Sequence, residues 1–296
     1  MKNILTILII ALNVFLGWSQ KTPVLVDSTG YKLLQNVGTY ALDTLKWKIH
    51  SDFYKRWASN ENPNIYIYVS RKDSLKSGIN GNFLSLPYDE EKILAKKSEY
   101  EKMDFDVMVY KTYGTSNVML SSHLLSYSFE SLLFISFHEA THLQISRNVS
   151  LPYIYVEAIC DLMGTQASLA FTKYNPNQFN KVAILNEKIE TISAQINACI
   201  LAAENIQNNQ EDCKNTLQQL VNSIDENELF LNERYRYEIN NAYLIRNCSY
   251  TKYYYKLKNL FALQNNDFQV FWDFIKKLPN NENLINDLIE KEILFL

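Results

Sequence analysis

Apolar positions first fall into a helical rhythm at Tyr31, Leu34, Val37, Ala41, Leu45 and Ile49, which predicts a helix over 27–58. Pro63 and its asparagine neighbours end it. Ile65 to Val69 is β-branched and aromatic throughout and predicts a strand, followed by a turn over 78–82. A charged surface helix over 89–102 and a second strand over 105–110 come next. Residues 113–118 read as a polar edge segment. Phe129, Leu132, Leu133, Ile135, Phe137, Leu143 and Ile145 then define an apolar helix, with Ser126 or Ser128 as its N-cap. The chain breaks at 148–150, and Pro152 suits the first turn of the next helix. The clearest boundary is Tyr174-Asn175-Pro176-Asn177. Beyond it the pattern is helical to the end: a hairpin turning near Asn208-Asn209, then helices over 226–258, 267–277 and 284–292. The expected architecture is α+β, mainly α. A small N-terminal sheet packs on two central helices, within a lobe over 21–174, and a helical lobe over 175–296 follows.

The two central helices carry the chemistry. The chain has 4 histidines, and His138 and His142 stand four apart on one of them. Residues i and i+4 share a helix face, so both imidazoles reach one metal ion. Glu139 lies beside that ion, positioned to take a proton from a water. Glu157, on the next helix, is the expected third ligand, leaving a fourth position open as a catalytic zinc site requires. Asp161 shares a face with Glu157 and is expected to hydrogen-bond a ligand imidazole and fix its tautomer. Cys160, one turn below Glu157, reads as core rather than ligand. This pattern predicts one Zn²⁺ and a zinc-dependent peptide hydrolase of the thermolysin-like, glutamate-ligand kind.

Composition narrows the setting. At 47% hydrophobic residues the chain supports a large core, and a net charge of −3 implies no polyanionic partner. Residues 250–258 are aromatic and basic, rich in tyrosine and lysine. Nucleic-acid stacking is one reading of this, a helix with a buried tyrosine face and solvated lysines the better one. Lys2, the apolar run over 4–16 and Gly17-Trp18-Ser19 form a signal-peptide pattern, with cleavage after Ser19 or Gln20 and a periplasmic or secreted destination. The run is short for a membrane anchor. Cys199 and Cys213 lie about equally far from the hairpin turn, where a disulfide and two free buried thiols are the alternatives. Cys248 has no assignment. Peptide hydrolases of this kind lay the substrate backbone along an edge strand, and Tyr113, Gly114, Thr115 and Asn117 are candidates for that contact, with a plain loop as the alternative.

Several blocks, in order, resemble the bacterial predicted-aminopeptidase family of zinc hydrolases. Gly30-Tyr31 with Leu34-Gln35 and Gly38 resembles its N-terminal helix signature, and Gly81-Asn82-Phe83 its Gly-Tyr-Phe block. Asp106-Val107 with Tyr113 and Thr115 resembles its Asp-Val strand and Tyr-Ser-Thr segment. Phe137 to His142 resembles its Phe-His-Glu-Leu-x-His, and Glu157 with Gly164 its glutamate helix. Asn240-Asn241-Ala242, Leu244 and Tyr250 resemble its C-terminal block. The likeness spans about 28–278. Departures are a short stretch over 40–64, Val156 in place of asparagine, and Ser116-Asn117 in place of Leu-Gly, all bearing on substrate contacts. The resemblance implies a zinc aminopeptidase in which Tyr250 donates to the oxyanion and Asn241 approaches the cleft. The rival readings are a non-catalytic zinc-binding envelope protein and an endopeptidase using the same site.

Overall fold

The computed structural model describes residues 28–58, 62–79, 83–113, 119–204 and 210–295. The signal-peptide segment, the expected hairpin turn, and Gly114, Thr115 and Asn117 lie outside the described residues. The fold is α+β and mainly helical, with a small antiparallel sheet near the N-terminus. Among the described residues no helix is long and apolar enough to cross a membrane.

Helix α1 (Ser28–Asp43) is shorter than its periodicity predicts. Lys46 takes a positive φ of 58°, and around it Leu45, Trp47 and Ile49 are buried in strict alternation with exposed neighbours. Ala41, Leu45 and Ile49 are four apart and so satisfy a helical and a twofold period alike. Trp47 breaks the tie, because a continued helix would carry it off the apolar face. The extended segment instead wedges Trp47 against Phe137 and Trp272, at ring-centre distances of 6.2 and 6.0 Å.

Strands β1 (Asn64–Arg71), β2 (Leu84–Leu86) and β3 (Phe105–Thr112) form a sheet in the order β2-β1-β3. The sequence reading did not contain the three-residue β2. Helix α2 (Glu90–Lys102), capped by the Asp89 carboxylate on the Lys92 N–H, closes one face. There Ile65, Ile67, Val69, Val107 and Ile93 make a small separate core. The other face carries Tyr66, Tyr68 and Tyr110, with Tyr66 registered opposite Tyr110.

Helices α3 (Phe129–Asn148) and α4 (Tyr153–Thr172) are the two central helices of the sequence reading. Ser128 caps α3 by accepting from the Ser131 N–H. The short link 149–152 folds α4 back along α3. Gly164 permits a close approach between them, since a Cβ there would stand 3.0 Å from the Phe134 ring and 3.1 Å from its carbonyl oxygen.

Then come α5 (Pro176–Glu204), α6 (Gln210–Asn222), α7 (Leu229–Tyr235), α8 (Asn241–Thr251), α9 (Tyr254–Leu263), α10 (Phe268–Ile275) and α11 (Glu282–Phe295). The single helix expected over 226–258 is therefore three. No glycine or proline interrupts that stretch. The break before α8 is made by Asn240, whose side chain accepts from the Tyr243 N–H. Tyr253 and Tyr254 are buried, while Lys252, Lys256 and Lys258 pair with Glu282, Glu290 and Glu190 at 3.4, 2.6 and 2.6 Å.

The tyrosine face of the sheet shares the main core with the α3–α4 pair and borders a cleft between them, and helix α8 packs on β1 and β3 as well. One continuous core runs from Leu33 to Ile289 and crosses the Tyr174–Asn177 boundary without interruption.

Cys199 and Cys213 are joined by a disulfide between α5 and α6, with Cα atoms 5.5 Å apart and 14 positions apart in sequence. Chain-entropy arguments value such a loop at about 3 kcal/mol. Replacing both cysteines with serine should lower stability by roughly that amount. Chemical denaturation of the unreduced protein and the variant measures the difference. Equal midpoints, or labelling of both thiols in the native unreduced protein, would exclude the bond.

Candidate metal centre

Three side chains converge where α3 and α4 face each other. His138 Nε2 and His142 Nε2 are 3.1 Å apart. A Glu157 carboxylate oxygen stands 3.5 Å from the first and 3.6 Å from the second. Three atoms each 2.0–2.1 Å from a tetrahedral zinc lie about 3.3 Å from one another. The observed triangle has the edge lengths of such a face, so these residues fit the metal. Cys160 Sγ offers a second arrangement, since single ligand atoms of His138, His142 and Cys160 lie within 4.8 Å of one another. That grouping is looser than the glutamate triangle. The Cys160 thiol is also pushed well above its ordinary pKa, by burial first and then by Glu157, Glu139 and Asp161. Glu157 is therefore the better third ligand.

Burial makes the pairing of these groups obligatory. His138, Glu157 and Asp161 are 8%, 5% and 1% exposed. Asp161 stands 2.9 Å from His138 Nδ1, an ion-pair contact not aligned as a hydrogen bond, and its other oxygen accepts from Arg234 on α7. Contact at Nδ1 turns Nε2 toward Glu157 and His142, as a metal ligand requires. Burial works against a charged His138, yet Asp161 and Glu157 outweigh it and carry its pKa up to about 10. Burial likewise opposes a charged Glu157, but the charge of His142 and contacts from both imidazoles hold it well below the usual carboxylate range. The cluster is built to hold positive charge between its nitrogens and the carboxylate.

Glu139, one residue along from His138, points into the same cleft. Its Oε2 is buried and has no hydrogen-bond partner among the described residues. The cleft is about 350 Å³ and is lined on one side by α3 and α4, on the other by Tyr66, Tyr68, Tyr110 and the end of β3 from Lys111 to Tyr113. Phe83 spans the two walls, its ring centre 4.8 Å from Tyr66 and 6.2 Å from Tyr153.

Tyr250 on α8 lines this cleft. Its ring lies roughly parallel to that of His138, with centres 6.4 Å apart, and the Arg234 and Arg246 guanidiniums flank it at 4.9 and 4.6 Å. Burial, then the charges of Glu157 and Tyr153, raise its pKa well above that of a free phenol, so the hydroxyl stays a donor. Tyr113 also lines the cleft and stacks on His123 at 3.6 Å.

Asn241 does not reach the cleft, which corrects the sequence expectation. It is 1% exposed at the start of α8, where its N–H donates to Asp106 and its side-chain amide donates to the Arg71 and Lys72 carbonyls at 3.0 Å each. Lys214 donates to its amide oxygen at 2.9 Å. A polar residue at a helix start tied to a strand end has a full structural task, and this explains why its block is polar.

Sequence reasoning missed Glu233, Arg234 and Arg246. They come from α7 and α8, and no spacing relates them to α3 or α4. Glu233 accepts from the Tyr127 hydroxyl and stands 3.0 Å from His123 Nε2. An arginine beside an aromatic run was the only available hint. Comparison of the chain with protein-family models, with curated proteins and with solved structures found no match.

The two perturbed groups give metal-free protein a defined pH response. His138, raised from 6.5 to about 10, stabilises the fold fully below pH 6.5 and loses that contribution as pH rises through about 10. Glu157, lowered from 4.5, stabilises fully above pH 4.5 and loses its contribution as pH falls below that. Chelator-treated protein should melt highest between pH 4.5 and 6.5 and less well toward pH 10, and His138→Gln should flatten the alkaline decline. Thermal melts across pH test this. A melting temperature that climbs steadily through pH 9 would contradict the pairing.

Proposed function

We propose that the chain is a zinc-dependent metallopeptidase. The observation carrying this reading is the Nε2, Nε2 and carboxylate triangle of His138, His142 and Glu157 beside Glu139, whose buried Oε2 has no hydrogen-bond partner among the described residues, at the wall of an open cleft. Zinc held there supplies a Lewis acid that lowers the pKa of water and polarises the scissile carbonyl. Glu139 takes the proton of the attacking water and returns it to the leaving amine. Asp161, itself neutralised by Arg234, keeps the His138 ring in its ligand orientation. The Tyr250 hydroxyl donates to the oxyanion that develops on the substrate. Among the described residues the end of β3 has β1 alone as its strand neighbour, and it offers a substrate backbone an edge at Lys111 and Thr112, with Tyr113 just beyond the strand.

Aminopeptidase action is the finer reading. The resemblance to the bacterial predicted-aminopeptidase family points to it. So does Glu233, a carboxylate at the cleft wall free of any metal-ligand role, which suits a substrate's free amine. An exported, periplasmic or secreted location accords with the signal-peptide pattern and with the Cys199–Cys213 disulfide, a bond of oxidising compartments.

The second reading is a structural zinc site. It is favoured by Cys160 alone, which groups with the two imidazoles, since a thiolate ligand is characteristic of structural zinc sites. Cys160→Ser separates the two readings: a catalytic site keeps its zinc and turnover, and a closed site loses metal.

Purified protein should bind one zinc. Glu157→Ala should lose it, and Glu139→Gln should keep metal and fold while losing nearly all turnover. Metal analysis with a peptide-library cleavage assay checks both, and wild-type turnover by Glu139→Gln would remove that residue as the base. Tyr250→Phe should lower kcat by roughly 10²- to 10³-fold with little change in KM. An aminopeptidase cleaves free but not N-acetylated peptides, and equal cleavage of both would favour the endopeptidase.

A further inference from the structure

The cleft contains a second buried guanidinium besides the one that neutralises Asp161. Arg246 on α8 is 1% exposed and lines the cleft. Its guanidinium carbon stands 4.1 Å from the Tyr110 ring centre and 4.6 Å from that of Tyr250. Its Nη1 donates to the Asn247 amide oxygen at 2.6 Å, and its Nε has no hydrogen-bond partner among the described residues. Arg234 forms an ion pair with Asp161, but none of the ion pairs among the described residues includes Arg246. An arginine cannot shed its charge by losing a proton. Buried charge is costly unless an opposite charge meets it, and two tyrosine faces compensate only in part.

We propose that Arg246 is the receptor for a carboxylate of the substrate. The proposal rests on the metallopeptidase reading and names the substrate class of that site. A guanidinium's planar fork of donors matches a carboxylate and can bind both its oxygens. The location is suitable. Arg246 lies 4.6 Å from the Tyr250 ring centre, and that centre lies 6.4 Å from the His138 ring centre. Those steps laid end to end amount to only a few extended residues, at about 3.5 Å each. Elsewhere the cleft carries Glu139, Glu157 and Glu233, which repel an anion and leave the Arg246 end as its seat. Lys111 is also at the cleft, but its ammonium sits over the Tyr88 ring at 5.7 Å. The carboxylate comes either from the free C-terminus of a short peptide or from an acidic side chain close to the scissile bond.

The test uses the zinc-loaded full chain carrying Glu139→Gln, so that peptides bind without being consumed. Calorimetry compares three probes: Ala-Ala-Phe, its C-terminal amide, and Ala-Glu-Phe amide. Tenfold or tighter binding of the free acid over its amide assigns the α-carboxylate. The same advantage of the Ala-Glu-Phe amide over the neutral amide assigns the acidic side chain. Arg246→Gln should bring the acid-to-amide affinity ratio down to about one, and Arg246→Lys should retain part of the advantage. If Arg246→Gln does not fold, the three probes on the Arg246 protein and the lysine variant decide. Equal binding of all three probes, no binding of any, or an advantage that survives Arg246→Gln overturns the proposal. Acid-selective binding without turnover by the zinc-loaded wild-type chain would instead overturn the peptidase reading and leave the carboxylate receptor standing. Turnover without acid selectivity would do the reverse.

Discussion

The buried carboxylate of Asp161 is the constraint on which the site depends. At 1% exposure it has little water to solvate it, and an isolated charge there would be severely destabilising. It is met from two sides, by His138 on α3 and Arg234 on α7. One carboxylate thus joins the consecutive helices α3 and α4 to α7, which is far from both in sequence. It also orients a ring nitrogen of His138 toward Glu157 and His142. Removing Arg234 would leave Asp161 with the imidazole alone, so the guanidinium bears on the orientation of His138 through one shared carboxylate. Its own charge is spread over the faces of Phe134, Phe230, Tyr235 and Tyr250 at 4.9 to 5.8 Å.

This arrangement explains why a helical C-terminal region is needed at all. The α3–α4 pair supplies the candidate ligands and the Glu139 carboxylate, but His138 is its only counterpart for Asp161. Helix α7 adds the Arg234 guanidinium, and α8 packs on β1 and β3, whose tyrosines form the far wall. Asn241 fixes α8 to the end of β1, and α8 then carries Arg246 and Tyr250 to the cleft. The close approach at Gly164 is the complement on the other side. A side chain there would meet Phe134 and separate the helices that carry His138 and Glu157. Distances of 3.5 and 3.6 Å between imidazole and carboxylate leave little room for such a shift.

The parts of this design that were legible in the sequence are the local ones. His138, Glu139 and His142 share one helix, Glu157 and Asp161 share the next, and helical spacing alone fixes which side chains share a face. The boundaries of α3 and α4 follow from Ser128 and Pro152 for the same reason. The segment after α1 was illegible because Ala41, Leu45 and Ile49 satisfy two periods at once, and only the packing of Trp47 on Phe137 and Trp272 distinguishes them. The breaks on either side of α8 carry no glycine or proline. Asn240 as a cap is a weak local signal, made decisive by the tertiary bonds of Asn241. Glu233, Arg234 and Arg246 were invisible because their role is set by what lies opposite them, which periodicity does not encode.

The walls of the cleft add one more step. Seven of its lining residues are tyrosines: Tyr66, Tyr68, Tyr110, Tyr113, Tyr127, Tyr153 and Tyr250. A tyrosine offers an apolar body and a neutral polar tip. Burial raises the hydroxyl pKa of Tyr66, Tyr68, Tyr127, Tyr153 and Tyr250, so these groups stay protonated wherever the fold is intact. The charge pattern of the cleft is then set by its carboxylates and guanidiniums. Negative charge gathers around the imidazole pair, where it favours a cation, and the Arg246 guanidinium stands apart on α8. A hydroxyl-lined wall between them can hydrogen-bond a peptide backbone without adding charge of its own.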